Sequence, residues 1–204
     1  MLGKYHFRPP SVPPGAVTAT GAATLTHSVE FLLDDSSDQQ IRSQWAALTA
    51  AGLPSGERIR SATNRPHITA MAATGISPEV DGELAVVAMH VPFPITLGAV
   101  VVFGHGSHRV LARLVVPSSE LLSVHATIVR MGAEHAVDDT GVPALFAHSR
   151  PGAWTPHVTL ARRVRIDQIP AALEVLGTDP IEGSVQALRR WDGDAHTEHV
   201  IGGI

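Results

Sequence analysis

Two short stretches of this chain share one pattern: residues 65–69, with the sequence RPHIT, and residues 155–159, with the sequence TPHVT. Their histidines, His67 and His157, are ninety residues apart. Proline, histidine, a β-branched residue and threonine in this order are expected by chance about 0.01 times in a chain of this composition. Two occurrences therefore indicate that one structural unit has been duplicated.

Strand-like and helix-like segments alternate in the same order on both sides of a turn at residues 104–107. In the first half the patterns predict strands at 27–33, after Pro66 and at 95–103, with helices that open at 34–37 and at 77–78. In the second half they predict strands at 110–116, 157–164, 181–191 and 199–204, with helices that open at 117–120 and at 166–167. The expected fold class is α+β, with a β-α-β-α-β unit used twice.

Composition sets the domain organisation. The chain has 204 residues, of which 44% are apolar, and a formal net charge of -4, which disfavours a globally basic nucleic-acid-binding surface. Halves at 26–104 and 105–204 are each too small to bury their sheets alone, so we expect one bilobal domain. Residues 1–25 are rich in proline and are expected to form an arm. Prolines interrupt any signal peptide or membrane span, so we expect a cytoplasmic protein without a membrane partner.

The spacing within each motif has a chemical meaning. Side chains alternate along a strand, so His67 shares a face with Thr69, and His157 shares a face with Thr159. If the halves are related by a two-fold axis, both pairs converge on one cleft. A neutral histidine can take a proton from an attacking water, a protonated histidine can donate one to a leaving ribose oxygen, and the hydroxyls can hold phosphate oxygens. The pattern predicts in-line chemistry at phosphorus without a metal.

These motifs resemble those of the two-histidine (2H) phosphoesterase superfamily, specifically its 2′-5′ RNA ligase-like branch of RNA 2′,3′-cyclic phosphodiesterases. Residues 27–31, 51–54 and 154–162 add to the resemblance, which runs from about residue 27 to the C-terminus. It implies mainly antiparallel sheets around a cleft between two pseudo-symmetric lobes. It also implies a cyclic phosphodiesterase that needs no metal or other cofactor and leaves a 2′-phosphate end, with weak 2′-5′ ligation in some members.

The same resemblance assigns site residues and partners. His67 and Thr69 carry over as one half of the catalytic site, and His157 and Thr159 as the other half. RNA ends or small nucleotide cyclic phosphates are the expected partners, and no obligate protein partner is inferred.

Arginines and tryptophans flank both motifs. Arg65, Arg162 and Arg163 are candidates for binding the substrate phosphate, with a solvated strand edge as the alternative. Strict alternation places Arg163 on the face of the second motif's histidine and Arg162 on the opposite face, and a bend or bulge near the end of the strand would change this. The family pattern favours Arg162. Trp154 is the candidate for stacking on a nucleobase and Trp191 is a second, although single tryptophans more often pack in a core.

Two other function classes stay open. A catalytically silent RNA-end or nucleotide-binding module of the same fold would bind without turnover, but it has no need for two acid/base groups. A histidine-dependent metal hydrolase would use His105 with His108, or His196 with His199, and neither pair has a recognised metal-site continuation. His125 also begins a His-x-Thr sequence, but the helical periodicity around it predicts a structural position.

Overall fold

The structure is a computed structural model that describes residues 26–203; the predicted arm at 1–25 and the last residue lie outside the described residues. The elements are β1 (His27–Leu33), α1 (Asp35–Ala50), β2 (His67–Ala73), α2 (Val80–Ala88), β3 (Phe93–Phe103), β4 (His108–Val115), α3 (Ser119–Gly132), β5 (His157–Arg165), α4 (Ile169–Leu176), β6 (Ile181–Asp192) and β7 (Thr197–Gly203). Their order is the predicted one, and the α+β class is confirmed.

Two helices begin later than their sequence signals predict. Ser77 and Pro78 accept backbone hydrogen bonds from residues three positions further on, so this segment is a tight turn and α2 begins at Val80. Residues Ile166–Gln168 form a 3-10 turn, and α4 follows it with proline in its first turn. By contrast, α1 begins as expected because the side chain of Asp34 accepts a hydrogen bond from the backbone N–H of Ser37.

The strands form one antiparallel network. The order is β1-β2-β5-β4-β3-β6-β7, and β6 also pairs with β1, so the pairings from β1 to β6 close into a circuit. The antiparallel sheet that the family resemblance implied is thus confirmed. Within residues 26–203, no helix is long and apolar enough to cross a membrane.

The two repeats interlock. In the first repeat, β1 pairs with β2 and with β6, the third strand of the second repeat. In the second repeat, β4 pairs in the same way with β5 and with β3, the third strand of the first repeat. The helices follow the same rule, since α1 packs against α4 and α2 packs against α3. Each repeat therefore gives its third strand to the sheet built on the other repeat's first two strands. The pseudo-two-fold axis passes between β2 and β5.

One hydrophobic core spans both repeats. Phe31 and Leu48 of the first repeat and Leu121 and Ile128 of the second are fully buried in the same cluster. Burying each such side chain contributes about 1.5–3 kcal/mol to folding. The apolar faces of the four helices thus pack on one side of the sheet, and the cleft lies on the other side.

Candidate active site

The two Pro-His-x-Thr motifs meet at the pseudo-two-fold axis. Strands β2 and β5 share a single backbone pair, which joins Ile68 to Val158. Both of these side chains are fully buried, so the neighbouring positions on each strand face the opposite side. In an antiparallel pair centred here, residue 67 lies across from residue 159, and residue 69 lies across from residue 157. The histidine of each motif therefore lies beside the threonine of the other.

A cavity of about 700 Å³ lies over this crossing. Its walls include His67, Thr69 and His157 from the motifs, and the candidate phosphate ligands Arg65 and Arg162. This volume lies within the range of about 300–1,000 Å³ that is typical of small-molecule sites. Thr159 is half-buried on the strand face that it shares with His157, but it is not among the residues that line the cavity.

Both histidines are held in the same way. Nδ1 of His67 lies 2.8 Å from the backbone oxygen of Arg65, and Nδ1 of His157 lies 2.7 Å from that of Thr155. A carbonyl oxygen can only accept, so Nδ1–H donates in both cases. Nε2 is therefore the ring nitrogen that can take up or release a proton in a reaction. The carbonyl two residues before each histidine thus sets its tautomer.

The charges around His157 disfavour its protonated form. Burial is the largest cause that lowers the pKa of His157, and the nearby charges of Arg162, His67 and His148 lower it further. The hydrogen bond to the Thr155 carbonyl acts in the opposite direction and is outweighed. His157 is therefore suited to enter a reaction as a neutral base.

A β-bulge follows the threonine of each motif. The register between β1 and β2 shifts so that Ala70 has no partner, and the register between β4 and β5 shifts so that Leu160 has none. In both strands an indole N–H donates to the threonine carbonyl at the bulge. The donors are Trp154 for Thr69, at 2.8 Å, and Trp45 for Thr159, at 3.1 Å.

The bulge at Leu160 decides which arginine faces the cleft. One extra residue reverses the alternation beyond it, so that Arg162 lines the cavity while Arg163 does not. Arg163 is exposed and has a positive φ of 57°, which marks a second irregularity of the strand. Alternation alone placed Arg163 in the cleft, and the structure corrects this placement.

The candidate stacking residues lie at different parts of the cavity wall. One face of Trp154 stacks on His125, with ring centroids 3.7 Å apart and planes 3° from parallel. His125 is buried in α3, as the helical periodicity around it predicted. Trp154 thus packs against α3 and supports β2, and only its other face is left for a base. Trp191 lies at the cavity wall near Arg189, whose guanidinium carbon is 6.0 Å from the ring centroid.

Several residues of the cavity wall were not predicted from the sequence. Glu30 and Arg189 are buried beside His67, His148 lies on the wall near His157, and the Phe103 ring lies 4.7 Å from the His157 ring, centroid to centroid. A signal for Glu30 existed, because one carboxylate interrupts the apolar strand at 27–33.

The His-x-x-His pairs do not assemble into metal sites. Among residues 26–203, neither pair belongs to a group of three potential ligands. His196 lines the cavity, whereas His199 and the other pair, His105 and His108, do not. A different histidine, His27, has its Nε2 3.1 Å from a carboxylate oxygen of Asp194.

Known proteins are similar to this chain at the level of a family model and at the level of the fold. A family model described as the 2′-5′ RNA ligase superfamily matches residues 13–197. None of the curated proteins matches the chain in sequence. The solved structure of Escherichia coli LigT complexed with 3′-AMP is 18% identical, with a TM-score of 0.50, and the match covers 86% of this chain and 93% of that chain.

A second similar structure comes from Kluyveromyces marxianus. Kluyveromyces marxianus Usb1 with uridine monophosphate is 12% identical, with a TM-score of 0.47, and the match covers 88% of this chain and 98% of that chain. At these identities the structural similarities concern the fold.

Proposed function

Because this chain belongs to the 2′-5′ RNA ligase superfamily, we propose that it is a 2′,3′-cyclic phosphodiesterase that acts on RNA ends or nucleotides and leaves a 2′-phosphate. The observation that carries this proposal is the meeting of two His-x-Thr motifs at one backbone pair, under one cavity. Two imidazoles of the same tautomer across a two-fold axis supply the acid and the base that in-line hydrolysis needs.

The proposed reaction uses groups of the chain alone. Nε2 of one histidine takes a proton from water while the water oxygen forms a bond to phosphorus. The bond from phosphorus to the ribose O3′ breaks, and the other histidine gives O3′ its proton from Nε2. The hydroxyl of Thr69 lines the cavity and holds a non-bridging oxygen as negative charge grows. Thr159 is half-buried on the strand face that it shares with His157, and its hydroxyl reaches the phosphate from beside His67. With the 5′-hydroxyl of a second RNA end in place of water, the same attack on phosphorus and the same departure of O3′ form a 2′-5′ linkage, so the same groups support weak 2′-5′ ligation.

Two arginines are the proposed phosphate ligands. Arg65 and Arg162 both reach the cavity, and the planar guanidinium group can donate two hydrogen bonds to one phosphate. Neither takes part in the ion pairs found among residues 26–203. Both side chains therefore have donors left for a substrate.

The test is turnover of an RNA that ends in a 2′,3′-cyclic phosphate, in the presence of a chelator, with the product identified as a 2′- or 3′-phosphate. We expect a 2′-phosphate. His67→Ala and His157→Ala should each reduce kcat at least about a hundredfold, because each removes a proton-transfer group. His90→Ala is the matched control, since His90 is exposed at the end of α2 and does not line the cavity.

Each alternative gives a different result in this assay. Binding without turnover supports a silent binding module. Loss of activity in chelator, with His67→Ala fully active, supports a metal hydrolase. Unchanged turnover in either histidine variant contradicts the paired acid-base mechanism.

A further inference from the structure

Glu30 is a buried carboxylate beside one of the two histidines. It lies in the middle of β1, where all seven residues are buried, and only 3% of its surface is exposed. Its Oε1 is 3.5 Å from Nε2 of His67 and accepts a hydrogen bond of 2.6 Å from the Ser28 hydroxyl. Its Oε2 accepts from Nε of Arg189 at 2.8 Å. Burying a carboxylate is costly unless such partners are present, so the site is built around this charge.

The cluster of Glu30, Arg189 and Glu198 carries an unbalanced negative charge. Arg189 pairs with both Glu30 and Glu198, so one guanidinium faces two carboxylates and the three groups sum to one net negative charge. A protonated His67 brings the sum to zero. Burial alone raises the pKa of Glu30, but the charges of His67 and Arg189 and the hydrogen bond from Ser28 outweigh it and lower that pKa. Glu30 therefore stays ionised beside the imidazole.

The other histidine lacks such a partner, although its scaffold is symmetric. Glu30 pairs with Thr69 on one side and with Arg189 on the other. At the equivalent position of the second repeat, Ala112 pairs with Thr159 and with Val101. The acid and its arginine are thus replaced by two apolar side chains.

The charges that act on His157 all disfavour its protonated form. Arg162, His67 and His148 are the charged groups that act on it, and none of the ion pairs among the described residues includes it. The symmetric fold therefore carries an asymmetric set of charges.

We propose that Glu30 is a positioning residue that keeps His67 protonated in the free protein, and that this makes His67 the acid and His157 the base of hydrolysis. The inference rests on the proposed function. His157 takes the proton of the attacking water, and His67 gives its proton to the leaving O3′. Exchange with solvent then returns a proton to His67 and removes one from His157. Around His67 the charged groups are Glu30 of β1, Arg189 of β6 with its second partner Glu198 of β7, His157 of β5 and Arg65 just before β2.

The first test uses the unaltered protein and does not depend on activity. The imidazole signals of His67 and His157 are followed by NMR from about pH 4.5 to pH 9 and assigned with His67→Gln and His157→Gln. We expect His157 to lose its proton at a lower pH than His67. The opposite order overturns the proposal, whatever the turnover.

The second test is the pH dependence of kcat/KM for Glu30→Gln. The rate falls at high pH when the acid loses its proton and at low pH when the base gains one. Removal of the carboxylate charge should move the high-pH limb down by at least about one pH unit and leave the low-pH limb in place. If only the low-pH limb moves, His67 is the base. If neither limb moves, the role of Glu30 is purely structural. Either result overturns the proposal.

Asp81→Asn is the matched control. Asp81 pairs with the buried Arg190 through hydrogen bonds of 2.8 and 2.9 Å, so its loss also breaks a buried arginine pair on β6, but it lies in α2 and does not line the cavity. Both limbs should stay in place. If the Glu30 variant does not fold, the proposal is still tested by the order in which His157 and His67 lose their protons in the NMR titration of the unaltered protein. Absence of turnover in the unaltered protein contradicts the proposed function, whereas turnover with unmoved limbs contradicts only the role of Glu30.

Discussion

At the scale of single residues, two indole groups fix the strands that carry the motifs. The carbonyl oxygens of Thr69 and Thr159 lie next to Ala70 and Leu160, the unpaired residues of the two bulges, and Trp154 and Trp45 donate to them. Gly56 makes room for the second indole, because a Cβ there would lie 2.5 Å from the Trp45 ring. The backbone of each threonine is thus fixed by an indole from a different part of the chain, the segment before β5 for Thr69 and α1 for Thr159.

Trp154→Phe tests this role. Phenylalanine keeps an aromatic ring against His125 but removes the donor to the Thr69 carbonyl. An unsatisfied, partly buried carbonyl costs about 1–2 kcal/mol of the free energy of unfolding, measured by urea denaturation. Trp191→Phe is the control, because its indole donates none of the hydrogen bonds found within residues 26–203, and it should change stability by less than about 0.5 kcal/mol. Equal losses in the two variants would contradict a specific role for the indole N–H.

At the scale of elements, the bulge in β5 turns one arginine into the cavity and the next one away from it. Arg162 lines the cavity, and Arg163 is exposed outside it. Two neighbouring residues of the same type therefore form a natural pair of test and control.

Arg162→Ala should raise KM for the cyclic phosphate roughly tenfold or more, because a hydrogen bond from a charged group contributes about 1.5–3 kcal/mol. Arg163→Ala should leave KM within about twofold, since its side chain does not reach the cavity. Steady-state kinetics at constant ionic strength measures both variants. A larger effect at Arg163 would mean that alternation, without the bulge, describes the strand in solution.

The difference between Arg162 and Arg163 also shows what sequence patterns can predict. Period-two alternation placed each motif histidine on the same strand face as its threonine, and helical periodicity placed His125 inside α3. Both predictions use contacts within a few residues. The position of the bulge, at Leu160, was not predictable, because it depends on pairing with β4, about fifty residues earlier.

The place of Glu30 in the site was not predicted, for a related reason. The apolar strand around it was recognised, but its partner Arg189 lies 159 residues further along the chain. A carboxylate inside an apolar strand signals a buried partner without saying which one. Local patterns thus predicted the elements and the motifs, whereas the charges of the site depended on contacts between repeats.

At the scale of the whole molecule, exchange of the third strands makes each repeat depend on the other. Strand β3 pairs with β4 and β6, and β6 pairs with β1. Neither the range 26–104 nor the range 105–204 contains all the strands that its own sheet needs. One bilobal domain therefore stays a prediction, which the unfolding of the chain tests.

Unfolding should therefore be a single cooperative transition. Far-UV circular dichroism and tryptophan fluorescence should give the same midpoint in urea, because Trp45 and Trp154 bond to strands that belong to the common network. Two separated midpoints would show that the repeats unfold independently and would contradict this expectation.

The pairing of Glu30 with Arg189 on one side of the axis, and of Ala112 with Val101 on the other, has a genetic consequence. In a homodimer of identical half-length chains, any codon change beside one histidine would be copied beside the other. Once both copies of the unit are encoded in a single reading frame, each can diverge alone. Tandem fusion thus allows one imidazole to specialise in giving a proton and its twin in taking one.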